Sequence, residues 1–310
     1  MENENNFTNK VIMVRPAHFG YNAETAANNA FQNSEGAGDV LKIKSRAESE
    51  FDQLVQKLTD KGIQVKVFQD NPDEIKPDAV FPNNWFTTHA DGTVVTYPMY
   101  AEARRKERDP ELIEELKGDF ILNKQIAFEE KESLNQFLEG TGSMILDREN
   151  KVSYACISER TDEKLLNEWA VKMGYQTVTF TSVDPSGLPV YHTNVIMTLG
   201  KGFVVLCLEC IPDVNERKKL TDVLNRYEYK IIEITFEQVK QFAGNMLQLI
   251  GQDDQPVLAM SSSAYRSLSA DQRALILSYS SIVHSDIPTI EKYGGGSVRC
   301  MIAENFLPRK

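Results

Sequence analysis

Five times along the chain a polar, turn-like approach leads into a short apolar run, and this recurrence constrains the fold more than any other feature. The copies are Phe81-Pro82-Asn83-Asn84-Trp85-Phe86, Glu139-Gly140-Thr141-Gly142-Ser143-Met144-Ile145, Tyr191-His192-Thr193-Asn194-Val195-Ile196, Ala243-Gly244-Asn245-Met246-Leu247 and Gly294-Gly295-Gly296-Ser297-Val298-Arg299-Cys300. Anchored on the Asn or Ser before each run, they step from 84 to 143, 194, 245 and 297, intervals of 59, 51, 51 and 52 residues. Near-equal spacing over most of a chain marks a repeat architecture, in which each unit buries its apolar face against its neighbours. The copies differ where chemistry would sit: a carboxylate at Glu139, an imidazole at His192 and a thiol at Cys300. The repeat therefore reads as a scaffold that aims different side chains at one axis, which is an enzyme's layout.

Within each unit the order is strand, strand, helix, strand. The second unit runs Met144 to Asp147, Val152 to Ile157, a helix from Thr161 to Ala170, and Tyr175 to Phe180. The third has Val195 to Leu199, Phe203 to Cys210, a helix over Asn215 to Asn225, and Lys230 to Thr235. The fourth has Met246 to Ile250, Pro256 to Met260, a helix over Asp271 to Tyr279, and Ile282 to Ser285. The first fits with Trp85 to Thr88, Val94 to Pro98, Pro110 to Lys117 and Phe120 to Leu122. The fifth is split: Val298 to Glu304 starts it, and Val11 to Val14, a helix over Glu48 to Asp60 and Ile63 to Phe68 complete it. Chain ends that meet in one blade would leave no open sheet edge. The expectation is one α/β domain over residues 1–310, a five-bladed pseudo-symmetric propeller of ββαβ repeats whose last blade is completed by the N-terminal segment. Asn22 to Gly38, rich in Asn, Ala and Gly, reads as a long loop of the kind that forms lids or stays disordered.

Composition narrows the function. The formal charge of −11 opposes nucleic-acid binding, which needs a clustered basic face. The one basic run, Arg104-Arg105-Lys106-Glu107-Arg108, is interrupted by Glu and reads as a solvated helix start. The polar start Met1 to Asn6 carries no secretory pattern, and no window is apolar enough for a membrane helix, so a cytoplasmic location is expected. Four cysteines make no disulfide framework; Cys207 and Cys210 have redox spacing but continue an apolar run, and Cys156 lies in another. Four His and four Cys give no metal-ligand spacing, so neither a metal nor another cofactor is expected.

A ring of five such blades resembles the guanidino-group-modifying superfamily of arginine deiminases, dimethylarginine hydrolases and amidinotransferases. That family carries a carboxylate, a His and a Cys in this order, the Cys near the C-terminus after a Gly-rich segment, and Glu139, His192 and Cys300 match. Within it, Val14-Arg15-Pro16-Ala17-His18-Phe19-Gly20 and Phe81 to Phe86 resemble the citrulline-utilisation hydrolases. The segment Ile157-Ser158-Glu159-Arg160-Thr161 resembles one whose arginine binds a substrate α-carboxylate, which implies that role for Arg160. The implied partner is a small amino-acid substrate, with homo-oligomerisation left open.

The chemistry needs these residue types in any case. A guanidinium or ureido carbon is a poor electrophile, so attack calls for an activated thiolate. His192 can activate Cys300, protonate departing ammonia and then activate water, while Glu139 orients the imidazole. Gly294 to Gly296, Gly295 at their centre, would let backbone approach the substrate and offer amide donors. Relatives that grip a guanidinium hold carboxylates where this chain has Asn84 and Asn194. An unpaired buried guanidinium costs several kcal/mol, about 3–5, whereas an amide suits a neutral ureido group. Asp78 or Asp184 supplying the missing charge is the alternative. An amidinotransferase with the same triad, or a non-catalytic binding protein like the ribosome anti-association factor of similar architecture, are the other readings. Arg15, His18, His89 and His284 have weaker claims, His89 as a pocket-lining residue.

Overall fold

The apolar runs become strands, and a computed structural model shows how they pair across residues 5–310; residues 1–4 of the polar start lie outside the described residues. In chain order, β1 (Lys10–Arg15) and β2 (Gln64–Gln69) are followed by four triplets. These are β3 (Phe86–Thr88), β4 (Thr93–Thr96) and β5 (Lys124–Ala127), then β6 (Ile145–Asp147), β7 (Val152–Ile157) and β8 (Gln176–Thr181). Next come β9 (Met197–Gly200), β10 (Phe203–Leu206) and β11 (Lys230–Glu233), then β12 (Leu247–Ile250), β13 (Pro256–Ser261) and β14 (Ser281–Ser285). Last, β15 (Ala303–Glu304) pairs antiparallel with β1, Val11 opposite Glu304 and Ile12 opposite Ala303. The described residues thus hold five three-stranded sheets in an α/β fold. In each, the middle strand is antiparallel to one neighbour and parallel to the other. A parallel pair needs a crossover, and a helix supplies it every time.

Those crossover helices start on the same device. Asp39, Asp109, Asp162, Asp213 and Ser269 each accept a backbone N–H of the first turn, satisfying donors the helix cannot. The helix Val40–Asp60 shows how packing follows: Ile43, Ala47, Phe51, Leu54 and Leu58 recur at helical spacing on its buried face. Fully burying one of its Phe or Leu side chains is worth about 2 kcal/mol. On the same face the buried Glu50 carboxylate accepts from Thr289 and Ile290 N–H, each at 3.0 Å, and so anchors the helix Pro288–Gly294 that leads to Cys300.

Four expected elements differ. The segment 120–122 is not a strand, because the C-terminal tail claims it: Phe120 bridges Arg309 and Ile121 N–H donates to Pro308 O at 2.8 Å, and the parallel strand forms at β5 instead. The run Phe203 to Cys210 ends as a strand at Leu206, after which Ile211 N–H turns back to Leu208 O at 3.1 Å. From Val298 onward only Ala303–Glu304 is strand, since Cys300 N–H turns back onto Ser297 O at 2.9 Å and Met301 N–H onto Val298 O at 3.2 Å. The helix expected from Glu48 already starts at Val40 on its Asp39 cap. No described helix is long and apolar enough to cross a membrane.

Candidate active site

The five approach turns are laced to one another. Thr141 Oγ1 donates to Asn83 O at 3.3 Å, Thr193 Oγ1 to Ser143 O at 2.5 Å, and Asn245 Nδ2 to Asn194 O at 2.8 Å. Arg299 N–H donates to Asn245 Oδ1 at 3.1 Å, and Thr88 Oγ1 to Glu304 O at 2.9 Å, which ties the first sheet to the fifth. The side chains that differ between repeats therefore converge at one end of the sheets.

At that end His192 Nε2 and Glu139 Oε2 are 2.8 Å apart, both fully buried. Burial alone would raise the Glu139 carboxyl, but Arg160 at 3.6 Å, the His192 bond and Arg104 at 3.9 Å hold it down at about 2. Its other oxygen accepts from Tyr100 N–H at 2.9 Å. Burial, with Arg160 and Arg104 against the pull of Glu139, lowers the imidazole of His192 to about 4. A neutral ring beside an ionised carboxylate donates from Nε2, which leaves Nδ1 as the free base. A glycine makes this approach feasible: a Cβ on Gly142 would lie 2.4 Å from Asn84 Nδ2 and 2.7 Å from the His192 ring.

Cys300 and His192 line the same cavity. The sulfur is located by two amide donors, Asn245 Nδ2 at 3.3 Å and Asn194 Nδ2 at 3.6 Å. Asn194, expected to meet the substrate, thus stands against the sulfur and is not among the cavity-lining residues. Gly295 does line the cavity, but its N–H closes the preceding helix on Glu291 O at 3.0 Å, so it is not the free donor anticipated for the Gly triplet. Its left-handed backbone, φ 61°, caps that helix, and its carbonyl accepts from Tyr191 Oη at 2.6 Å and Asn29 Nδ2 at 3.3 Å.

Arg160 is buried, stacked over Tyr191 at 5.0 Å, and donates from Nε to Asn28 Oδ1 at 3.1 Å and from Nη2 to Thr25 O at 3.2 Å. Thr25 Oγ1 in turn donates to Asp78 Oδ2 at 3.2 Å, as does Asn22 Nδ2 at 2.8 Å, so Asp78 and Arg160 share the loop end of the cavity. Asp78 Oδ1 is buried with no hydrogen-bond partner, and burial pushes this carboxyl up against the pull of Arg104. Asn84 accepts at Oδ1 from Arg104 Nη1 at 2.9 Å, while its buried Nδ2 has no partner. The loop 22–38 is neither disordered nor open. Asn29 and Gln32 hold the carbonyls of Gly295 and Gly294, and Asn33 N–H bonds Lys292 O at 2.8 Å. With the loop docked, the cavity encloses about 20 Å³, room for a water. On the other side of residues 26–31 lies an apolar cavity of about 730 Å³ walled by Phe31, Val190, Phe236 and Phe242.

Sequence reasoning missed Arg104, Glu107, Asn245 and the loop's Asn28. The basic run is not a solvated face: Arg104 and Glu107 are 3% and 5% exposed, and Arg108 pairs with Glu132 at 2.5 Å. Asn245 was visible only as the repeat's anchor position. Among the weaker candidates, Arg15 pairs with Asp52 at 2.8 Å on the helix Val40–Asp60. His89 is buried between Thr87 and Arg148 away from the cavity, His18 bonds Pro72 O, and His284 stacks on Tyr265. Asp184 is half-buried and bound within its own turn. Cys156, Cys207 and Cys210 are buried and free. Among the described residues no group of three or more His, Cys, Asp or Glu is arranged to hold a metal ion.

The family described as N,N dimethylarginine dimethylhydrolase, eukaryotic, matches residues 15–307. No curated protein matches the chain. Among solved structures, the arginine dihydrolase ArgZ of the ornithine-ammonia cycle in cyanobacteria is similar at 16% identity and a TM-score of 0.72, covering 95% of this chain. The chain spans only 40% of that protein, but 99% of its N-terminal domain solved separately with substrate, at 17% identity and a TM-score of 0.72. A dimethylarginine dimethylaminohydrolase variant, as its adduct with S-methyl-L-thiocitrulline, is similar at 16% identity over 96% of this chain and 99% of its own, with a TM-score of 0.65. These likenesses establish the fold, that of the guanidino-modifying enzymes named above.

Proposed function

The chain belongs to the N,N-dimethylarginine dimethylhydrolase family, hydrolases of carbon–nitrogen bonds in arginine derivatives, and on that premise we propose that it uses Cys300 to hydrolyse a ureido amino acid, citrulline in preference to arginine. One observation carries the preference. Arg104 can only donate, so its contact of 2.9 Å fixes Oδ1 of Asn84 toward it and leaves Nδ2, buried without a partner on the side of Gly142 and His192, as the donor assigned to the substrate. A protonated guanidinium has only N–H groups and would meet that donor with another donor. A ureido carbonyl accepts from it. The alternative, that Asp78 supplies the missing charge to a guanidinium, is weakened by its place beside Arg160 at the loop end. There the pair suits an α-ammonium on Asp78 and an α-carboxylate on Arg160, in the position Asn28 now takes.

His192 accepts the thiol proton, and the Cys300 sulfur attacks the ureido carbon. The bond to the terminal nitrogen breaks, and that nitrogen leaves as ammonia with the proton held by His192. A thiocarbamate remains between Cys300 and the Nδ of the amino acid. His192 then deprotonates a water that attacks the same carbon, the sulfur–carbon bond breaks, and the resulting carbamate loses carbon dioxide to give ornithine. Glu139 keeps the imidazole oriented and its charged form paired.

The test is ammonia release from citrulline, arginine, monomethylarginine and dimethylarginine, with Cys300→Ser as control. Citrulline should exceed the cationic substrates in kcat/KM by about 5–150-fold, the ratio set by about 1–3 kcal/mol for a buried donor facing a donor. Activity should vanish in Cys300→Ser. Preference for arginine or a methylarginine would overturn the ureido reading.

A further inference from the structure

Glu107 lines no part of the active cavity, yet it is buried and holds the guanidinium of Arg104 through two bonds, Nε to Oε1 at 2.9 Å and Nη2 to Oε2 at 2.8 Å. We infer that Glu107 is a positioning residue that, by locking Arg104, determines which end of the Asn84 amide meets the substrate and so sets the choice between ureido and guanidinium groups. This rests on the function proposed above.

An asparagine amide turned over by half a rotation exchanges its donor and acceptor with almost no change in shape. Nothing in Asn84 itself selects between the two, since its Nδ2 has no partner. The selection comes from Arg104 Nη1, and Arg104 is free to choose other partners: Asp78 Oδ2 and Glu139 Oε2 each lie 3.9 Å away. A guanidinium that swung onto either would release Asn84, and one drawn to Glu139 would compete with His192 for the same oxygen. The fork of Glu107, with a third contact from Nη2 to Phe81 O at 3.4 Å, fixes the plane of the guanidinium and directs Nη1 at Asn84. The two residues stand three apart on one short turn, closed by Glu107 N–H on Arg104 O at 3.0 Å, so the lock is local.

The experiment measures kcat and KM for citrulline and for arginine in the wild type, Glu107→Gln, Glu107→Ala, Asn84→Asp and the two doubles. Glu107→Gln keeps the volume but turns a donor toward Arg104; it should lower the citrulline-to-arginine ratio at least about fivefold, as loss of about 1 kcal/mol of orientation gives. Glu107→Ala should lower it further. A carboxylate at position 84 presents an acceptor in either orientation, so in the Asn84→Asp background the same Glu107 substitutions should leave the ratio within about twofold, as coupled sites require. Equal loss on both substrates, or the same ratio shift in the Asn84→Asp background, would make Glu107 merely structural and overturn the inference. A wild type that prefers arginine removes the functional reading itself. A citrulline preference that survives both Glu107 substitutions overturns only the role of Glu107.

Discussion

At the scale of single residues the site is defined by which protons are absent. His192 is held neutral by burial at about 4, against an ordinary value of 6.5, beside an ionised Glu139. Between those two values the unfolded chain binds a proton that the folded chain does not, so this group's share of stability is complete above 6.5 and is lost as pH falls toward 4. The slope is at most about 1.4 kcal/mol per pH unit. Urea unfolding of wild type and His192→Gln at several pH values above 4.5, where Glu139 stays ionised, should give curves that converge as the pH falls; parallel curves would mean that His192 is not buried neutral. The letters Glu, His and Cys were legible because repeat phase places them at equivalent ends of different units. Arg104 and Glu107 were not, because burial of a charged run is a tertiary property and Arg-Arg-Lys-Glu-Arg has the composition of a wet surface. The orientation of the Asn84 amide was also hidden, since it depends on a residue that reads as solvent-facing.

At the scale of elements, the segment that matters most is the loop 22–38. Its Asn28, Asn29 and Gln32 occupy donors and acceptors that line the site, and a cavity of about 20 Å³ beneath it cannot admit an amino acid. For the proposed substrate to enter, the loop has to leave and return. Hydrogen exchange should show the amides of residues 26–37, Asn33 among them, opening far faster than those of β1 and β10, and slowed by bound ornithine. Loop exchange as slow as the core strands would contradict this. Asn, Ala and Gly richness marked the loop in the sequence but not its docking, which is made by contacts to Gly294, Gly295 and Lys292 more than 250 residues away. The same holds for 120–122, where local strand propensity lost to the C-terminal tail. Around Cys300 the apolar run predicted a strand; the chain instead makes a tight turn held from outside by Asn245, behind a helix whose start is anchored on Glu50.

At the scale of the molecule, five sheets with one strand order, and crossover helices with one capping device, give a frame in which each approach turn can change its side chain without changing its path. The frame was legible because its apolar runs recur at near-constant intervals, and pairing of β15 with β1 brings the two ends of the chain into one sheet. What the frame brings to one cavity is a thiol, a neutral imidazole and the Asn84 amide. The most direct measurement is intact mass of the enzyme quenched during turnover of citrulline, with the peptide carrying any adduct identified. The account predicts a species heavier by citrulline less ammonia, located on Cys300 and absent from an inactive Cys300→Ser. Turnover of citrulline by Cys300→Ser at the wild-type rate, or an adduct on another residue, would contradict it.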